Sequence, residues 1–368
     1  MTPEEELLVL CASPMRNDIR TARIAHLRQQ PLDWNRLDDL AGYHRLAALL
    51  RWELKSLDAG FHENAKNSLL LTRELVRVIE LLESASIPAL PFKGPTLALA
   101  AYHNLALRSF GDLDILVTRE DVWRVRDLLQ SAGYTAKVQV KPGLESAYLN
   151  SYDELVMYGP DHALVEIHWA FVPPHFSFDL DFLNCWSRCV EISLANRTLP
   201  SLHPEDLLLV LAVHGSKHCW SHLGLVCDVA WLVTSQPLDL KSVLQRSRAL
   251  GVHRMVLLAL ALASKVFGVP VPAERDEAVS PLVDQIVAAL FGKHHDESSI
   301  RDNASLHMRM RERRRDRWRY MARLATRPGI EDWEMVNLPQ SLNFLYSMLR
   351  YPRLLTKYAT KYAAKIIR

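Results

Sequence analysis

The chain has 368 residues, 49% hydrophobic and 23% charged, with 13 Gly and 19 Pro. This excludes a mainly disordered, collagen-like or low-complexity protein, and the length allows about two domains. Forty-four basic against 42 acidic residues give a net charge of +2, so no global charge drives the chain onto nucleic acid or an acidic membrane.

Five cysteines (Cys11, Cys185, Cys189, Cys219, Cys227) are too few and odd in number for a disulfide framework and fit a reducing compartment. The acidic start, Met1-Thr-Pro-Glu-Glu-Glu, is the reverse of a secretory signal. The longest clean apolar run, Met255 to Ala263, is far short of the roughly 18–20 residues a membrane span needs. A cytoplasmic protein with no membrane partner is expected.

In chain order, residues 1–85 read as helices, the last with an apolar face of Leu69, Leu70, Val76, Ile79 and Leu82. Residues 86–172 read as a small α+β core. Short strands are expected at Ala89–Phe92, Leu113–Val117, Val138–Val140, Leu155–Tyr158 and Leu164–Trp169. Lys93-Gly94-Pro95 forms a turn into a helix ending near Tyr102, and Thr118 caps a second helix that Gly133 stops. Residues 173–368 read as helical, with elements from Pro204 and over 223–235, 238–268 and 280–292. A polar loop over 293–305, a basic helix over 306–325 and a tail over 339–365 complete the chain.

The chemistry concentrates in Arg108-Ser-Phe-Gly-Asp112-Leu-Asp114-Ile-Leu-Val117. In a strand, residues two apart point the same way, so Asp112 and Asp114 project their carboxylates together. Such a pair needs a cation, and Mg²⁺ with phosphate oxygens is the natural match. In Leu164-Val-Glu-Ile-His-Trp169, Glu166 shares a face with His168 and offers a third carboxylate for two metals. Lys93-Gly94, on a strand-to-helix turn, offers backbone N–H groups and a cation for phosphate. His214 and His218 are four residues apart on one helix face. Without a CxxC or the glutamate of a metalloprotease signature they suit a cleft wall better than zinc, and Lys217 between them could meet phosphate. Cys185 and Cys189 read as packing residues.

Phe92-Lys-Gly94, the Arg108–Val117 stretch and Val165-Glu-Ile-His-Trp169 together resemble the bacterial uncharacterised nucleotidyltransferase family, a branch of the DNA polymerase beta-like nucleotidyltransferase superfamily. Ser201–Leu208, His214–Trp220, Leu223–Asp228, Asp332-Trp333 and Leu338-Pro339 extend the resemblance over roughly residues 65–355. It implies an α+β fold with a polymerase-beta-like catalytic core and small mixed sheet, flanked by N-terminal helices and a larger helical C-terminal region. It also implies Asp112, Asp114 and Glu166 as catalytic metal ligands for two Mg²⁺ ions, with an NTP as donor on Lys93 and Gly94. Arg108, Lys217, His214 and His218 are the remaining nucleotide-side candidates. Pro95 stands where many superfamily members carry a serine whose hydroxyl meets phosphate.

Two other readings remain open at this stage: Asp-x-Asp glycosyl transfer from a nucleotide-sugar, and a non-catalytic partner that keeps the fold. The acceptor, the base preference and the oligomeric state are not legible. Arg309, Arg311, Arg313, Arg314, Arg315, Arg317, Arg319 and Arg323, interleaved with Trp318 and Tyr320, suit phosphates or an acidic partner. The balanced total charge disfavours a dedicated nucleic-acid binder.

Overall fold

The computed structural model describes residues 1–272, 274, 276–292, 304–336, 338, 342, 345–348 and 350. Four short helices open the chain: α1 (Pro3–Ala12), α2 (Asp18–Leu27), α3 (Trp34–Tyr43) and α4 (Ala47–Glu53). Thr2, Asn17 and Asp33 each cap the helix that follows by accepting a backbone N–H. The long α5 (Ala59–Ser84) buries Leu71, Leu75, Val78, Ile79 and Leu82. The expected stripe is therefore rotated. Leu69 and Leu70 are 61% and 55% exposed, because the i, i+4, i+7 series starting at Leu71 sets the buried face.

The core follows as β1 (Ala89–Pro91), α6 (Gly94–Tyr102), β2 (Asp112–Val117), α7 (Val122–Ser131), β3 (Thr135–Ala136), α8 (Glu145–Ser151), β4 (Glu154–Tyr158) and β5 (Leu164–His168). The sheet order is β1-β2-β5-β4-β3; β2 and β5 are parallel and every other pair is antiparallel. Period-two alternation gives the sheet two unlike faces. Leu113, Ile115, Val117, Val165, Ile167, Leu155 and Met157 pack with α5 and α7 in one core. Leu90, Phe92 and Leu116 join a second core shared with the N-terminal and C-terminal helices. The carboxylates emerge on this second face.

Two local expectations change here. The strand placed at Val138–Val140 lies instead at Thr135–Ala136, where it pairs with the end of β4. Thr118 does not cap α7. Its hydroxyl donates to Asp121 Oδ2 (2.8 Å) and accepts from Asp121 N (3.3 Å), closing a turn that delays the helix to Val122.

Beyond the core, α9 (Phe182–Trp186) leads to a hairpin that the helical reading missed, β6 (Val190–Leu194) and β7 (Arg197–Ser201). Then come α10 (Pro204–Lys217), α11 (Leu223–Ser235), α12 (Leu240–Leu250), α13 (His253–Phe267) and α14 (Val279–Leu290). The stretch expected over 238–268 is split at Gly251, which takes φ +76°. The basic stretch is also broken, into α15 (Ala304–Arg309) and α16 (Arg314–Thr326), before α17 (Ile330–Met335). At the break, Glu312 turns back to accept the backbone N–H of His253 (3.1 Å) and Arg254 (3.4 Å) at the start of α13. Arg311 is buried there, between the rings of Phe176 (4.6 Å) and Tyr320 (4.2 Å). Residues 293–303 of the expected loop, and most of the expected tail over 339–365, lie outside the described residues. All five cysteines are free thiols, with Cys185 buried and Cys189 partly so. No helix among the described residues is long and apolar enough to cross a membrane.

Candidate functional site

The parallel register of β2 on β5 sets Asp114 beside Glu166 and Leu116 beside His168, and β4 adds Glu154 beside His168. Alternation then puts Asp112, Asp114, Glu166, His168 and Glu154 on one face. Asp114 and His168 are buried; Asp112, Glu154 and Glu166 are half-buried.

Lys93 reaches into this cluster from the turn between β1 and α6. Its Nζ donates to Asp114 Oδ1 at 2.5 Å. Gly94 makes the approach possible. It takes φ +52°, and a Cβ there would stand 3.1 Å from the Asp112 carbonyl oxygen, so the turn is pressed against β2. Pro95 follows in the first turn of α6, and the Thr96 hydroxyl is occupied by the Lys93 carbonyl at 2.9 Å.

His168 Nε2 lies 3.3 Å from Asp114 Oδ1 and 3.5 Å from Glu166 Oε2; Nδ1 lies 3.8 Å from Glu154 Oε2. These charges determine the protonation states. Burial raises the Asp112 carboxyl, and neighbouring Asp114 raises it further. Burial opposes ionisation of Asp114 too, but Lys93 and His168 outweigh it and hold that carboxyl well below the usual range. Burial works against a charged His168, yet its bonds to Asp114 and Glu166 lift the imidazole to about 10. Burial raises Glu154, against the pull of His168. The site is thus rich in carboxylates and balanced by Lys93 and His168.

Opposite the sheet stand α10, α11 and the α3–α4 turn, enclosing a cavity of about 240 Å³. Arg108, Lys217, His214 and His218 all line it, with Lys93, Asp112 and Glu166. Lys217 Nζ donates to Asp153 Oδ2 at 3.3 Å. Arg108 holds Asp228 with both arms, Nε to Oδ1 (2.9 Å) and Nη2 to Oδ2 (3.1 Å), while the Tyr102 hydroxyl donates to Oδ1 at 2.7 Å. This ties α6 and the approach to β2 onto α11. The His214 and His218 rings meet tilted, with centroids 4.5 Å apart and planes at 55°. Burial, then Lys93 and His218, pushes the His214 imidazole well below its ordinary value, so it is neutral at pH 7.

The residues fit a divalent cation. One donor atom from each of Asp114, Glu166 and His168 lies within 4.8 Å of the others, and Asp114 Oδ2 is buried without a hydrogen-bond partner. Asp153, Glu154 and His168 form a second such set. Asp112 belongs to neither set, and His168 takes a place beside the expected carboxylates. Sequence reasoning named His168 only as a face-mate of Glu166 and passed over Glu154 and Asp153, while Asp228 was named only at the end of the Leu223–Asp228 motif. The residue Arg45 in the α3–α4 turn was missed for another reason: nothing in the sequence signals that this distant segment closes the cavity. Its backbone takes φ +58°, and among the described residues its guanidinium has no ion-pair partner.

A family model described as an uncharacterised nucleotidyltransferase matches residues 30–268. The match starts earlier than the expected residue 65, so α3 and α4 fall within it, and it ends well before 355. No curated protein matches. Among solved structures, a crystal structure of the lincosamide antibiotic adenylyltransferase LnuA with lincomycin bound is similar at 18% identity. Its TM-score is 0.27, and the alignment covers 37% of this chain and 83% of that one.

Proposed function

The chain belongs to the uncharacterised nucleotidyltransferase family and is a transferase; from that premise we propose that it moves a nucleoside monophosphate from an NTP to an acceptor hydroxyl or phosphate in the cavity beneath α10 and α11. In balance, the acceptor oxygen forms a bond to the α-phosphorus, the α–β anhydride bond breaks, and pyrophosphate leaves. The observation that carries this reading is the convergence of Asp112, Asp114 and Glu166 on one sheet face, with Lys93 on the adjoining turn and a cation-lined cavity above them.

Asp112, Asp114 and Glu166 would hold Mg²⁺, with His168 orienting Asp114 and Glu166 beside it; the ion when bound would neutralise phosphate charge and lower the pKa of the attacking oxygen. The other roles follow from charge and reach. Lys93 keeps Asp114 ionised, and the turn at Gly94 lets phosphate approach the start of α6. Arg108, held by Asp228, and Lys217, held by Asp153, present the remainder of their donors to the donor phosphates. Neutral His214 and its neighbour His218 offer hydrogen bonds on the opposite wall. Glu166, at the rim of the acidic cluster, is placed to take the proton of an acceptor hydroxyl.

The test is mass spectrometry of candidate acceptors, this protein included, incubated with Mg²⁺ and mixed NTPs. An added nucleoside monophosphate, absent with Asp112→Asn, is expected. Full turnover by a folded Asp112→Asn protein would remove the assignment of the carboxylates, and an added hexose from a nucleotide-sugar would replace nucleotidyl with glycosyl transfer.

A further inference from the structure

Away from the carboxylates, a second cleft of about 710 Å³ is built around arginine. Arg119 follows β2, Arg323 lies in the last turn of α16, and Arg327 ends that helix; Ser146, Asn150 and Thr326 line the cleft between them. No Asp or Glu among the described residues lines it. Among the described residues, none of the three arginines has a carboxylate within ion-pair distance. The sequence after Glu334 holds no Asp or Glu at all, so no side chain of the C-terminal segment can supply one.

The guanidiniums are aimed by neutral groups instead. Arg119 donates to the Leu149 carbonyl (3.1 Å) and to Asn150 Oδ1 (2.5 Å). Arg323 donates to the Pro174 carbonyl. Arg327 bonds His175 Nδ1 at 3.0 Å and lies 4.8 Å over the ring of Tyr152. Burial, then Arg327 and Arg311, lowers the His175 imidazole to about 3, so it stays neutral and accepts. A guanidinium has five N–H donors, and each of these uses only one or two on the protein. Arg327 feels the repulsion of Arg350 against the pull of the Asp153 carboxylate. With no carboxylate in ion-pair distance of any of the three among the described residues, the guanidiniums that share this cleft favour an anion within it.

We propose that this cleft binds the phosphate group of a small phosphorylated molecule. Three arginines with no ion-pair partner among the described residues match a divalent oxyanion better than a single carboxylate, and paired N–H donors fit phosphate oxygens two at a time. The cleft is concave and the chain carries only +2 overall, which suits one phosphate rather than a polymer. Tyr152, beneath Arg327, is followed in the chain by Asp153, which accepts from Lys217, and by Glu154, which lines the catalytic cavity. The inference is independent of the reading of the carboxylate site.

The test is calorimetric titration of the full chain, metal-free and at constant ionic strength, with inorganic phosphate and, separately, glycerol phosphate. Wild type is compared with Arg119→Gln and Arg323→Gln, both at exposed positions, and with Asp112→Asn. Saturable binding that weakens at least about tenfold in each arginine variant and is unchanged in Asp112→Asn is expected. Tighter binding of the ester assigns an organic phosphate, and equal binding assigns the free ion. No binding by folded wild type, or wild-type affinity in both arginine variants, overturns the proposal. So does binding of an oligonucleotide with neither small phosphate.

Discussion

The Arg108–Asp228 pair gives the sharpest energetic prediction. Asp228 accepts two bonds from Arg108 and one from Tyr102, and the Arg108 and Asp228 side chains are only 15% and 9% exposed. Asp228→Leu leaves the guanidinium buried beside a vacated carboxylate and the Tyr102 hydroxyl without its acceptor. Breaking a buried pair from one side costs about 3–5 kcal/mol, and the hydroxyl adds about 1. We expect a loss of about 5 kcal/mol, read as a lower urea midpoint followed by circular dichroism. Arg108→Met alone should cost a similar amount. The double variant Arg108→Met with Asp228→Leu should recover at least about 2 kcal/mol of the summed losses, because neither charge is then stranded. Single losses below about 1 kcal/mol, or additivity within about 0.5 kcal/mol, would refute the view that this pair clamps α6 to α11.

Other expectations concern single groups. Asp112 has a raised carboxyl pKa, so the folded state holds its proton more tightly than the unfolded state, and stability contributed there is lost as pH climbs from about 3.9 through the raised folded value. Metal-free Asp112→Asn should therefore melt at or above wild type at pH 7, while Mg²⁺ raises the wild-type midpoint more; a clear drop in the metal-free midpoint would contradict this. His214 is depressed, so its contribution is present above about 6.5 and lost as pH falls towards the folded value. His214→Leu should flatten that acid slope, and an unchanged slope between pH 6.5 and 4.5 would count against a neutral buried imidazole. Lys93→Met strands the Asp114 carboxylate and should cost about 3–5 kcal/mol at pH 7, measured by urea unfolding. Gly215→Ala would set a Cβ 2.5 Å from the ring of Trp220, a fully buried side chain, and should cost about 3 kcal/mol through overpacking; a stable Gly215→Ala protein would mean the ring can move aside.

Much of the site could be read from spacing, and what could not depended on distant chain. Asp112 and Asp114 share a face by strand period alone, as do Glu166 and His168. Their side-by-side register required β2 and β5 to be parallel neighbours, and no local pattern announces a partner 52 residues away. The pairing of Lys93 with Asp114 is likewise tertiary. The hairpin of β6 and β7 escaped because its turn is Ala195-Asn196, both at positive φ (50° and 62°), where Asn-Gly would have been the signal. In the basic stretch, charge density suggested one unbroken basic helix over 306–325 suited to phosphates or an acidic partner. Glu312 and Arg311 each had a specific use at α13 and between two rings, and those uses break it.

In the proposed reaction, metal and nucleotide meet at the carboxylates of β2 and β5. Titration of a non-hydrolysable NTP into the full chain, with Mg²⁺ and then with chelator, tests it most directly. Binding that requires Mg²⁺ and is lost in folded Asp112→Asn and Glu166→Gln proteins is the predicted result. Equal binding in chelator, or undiminished Mg²⁺-dependent binding in both variants, would contradict it.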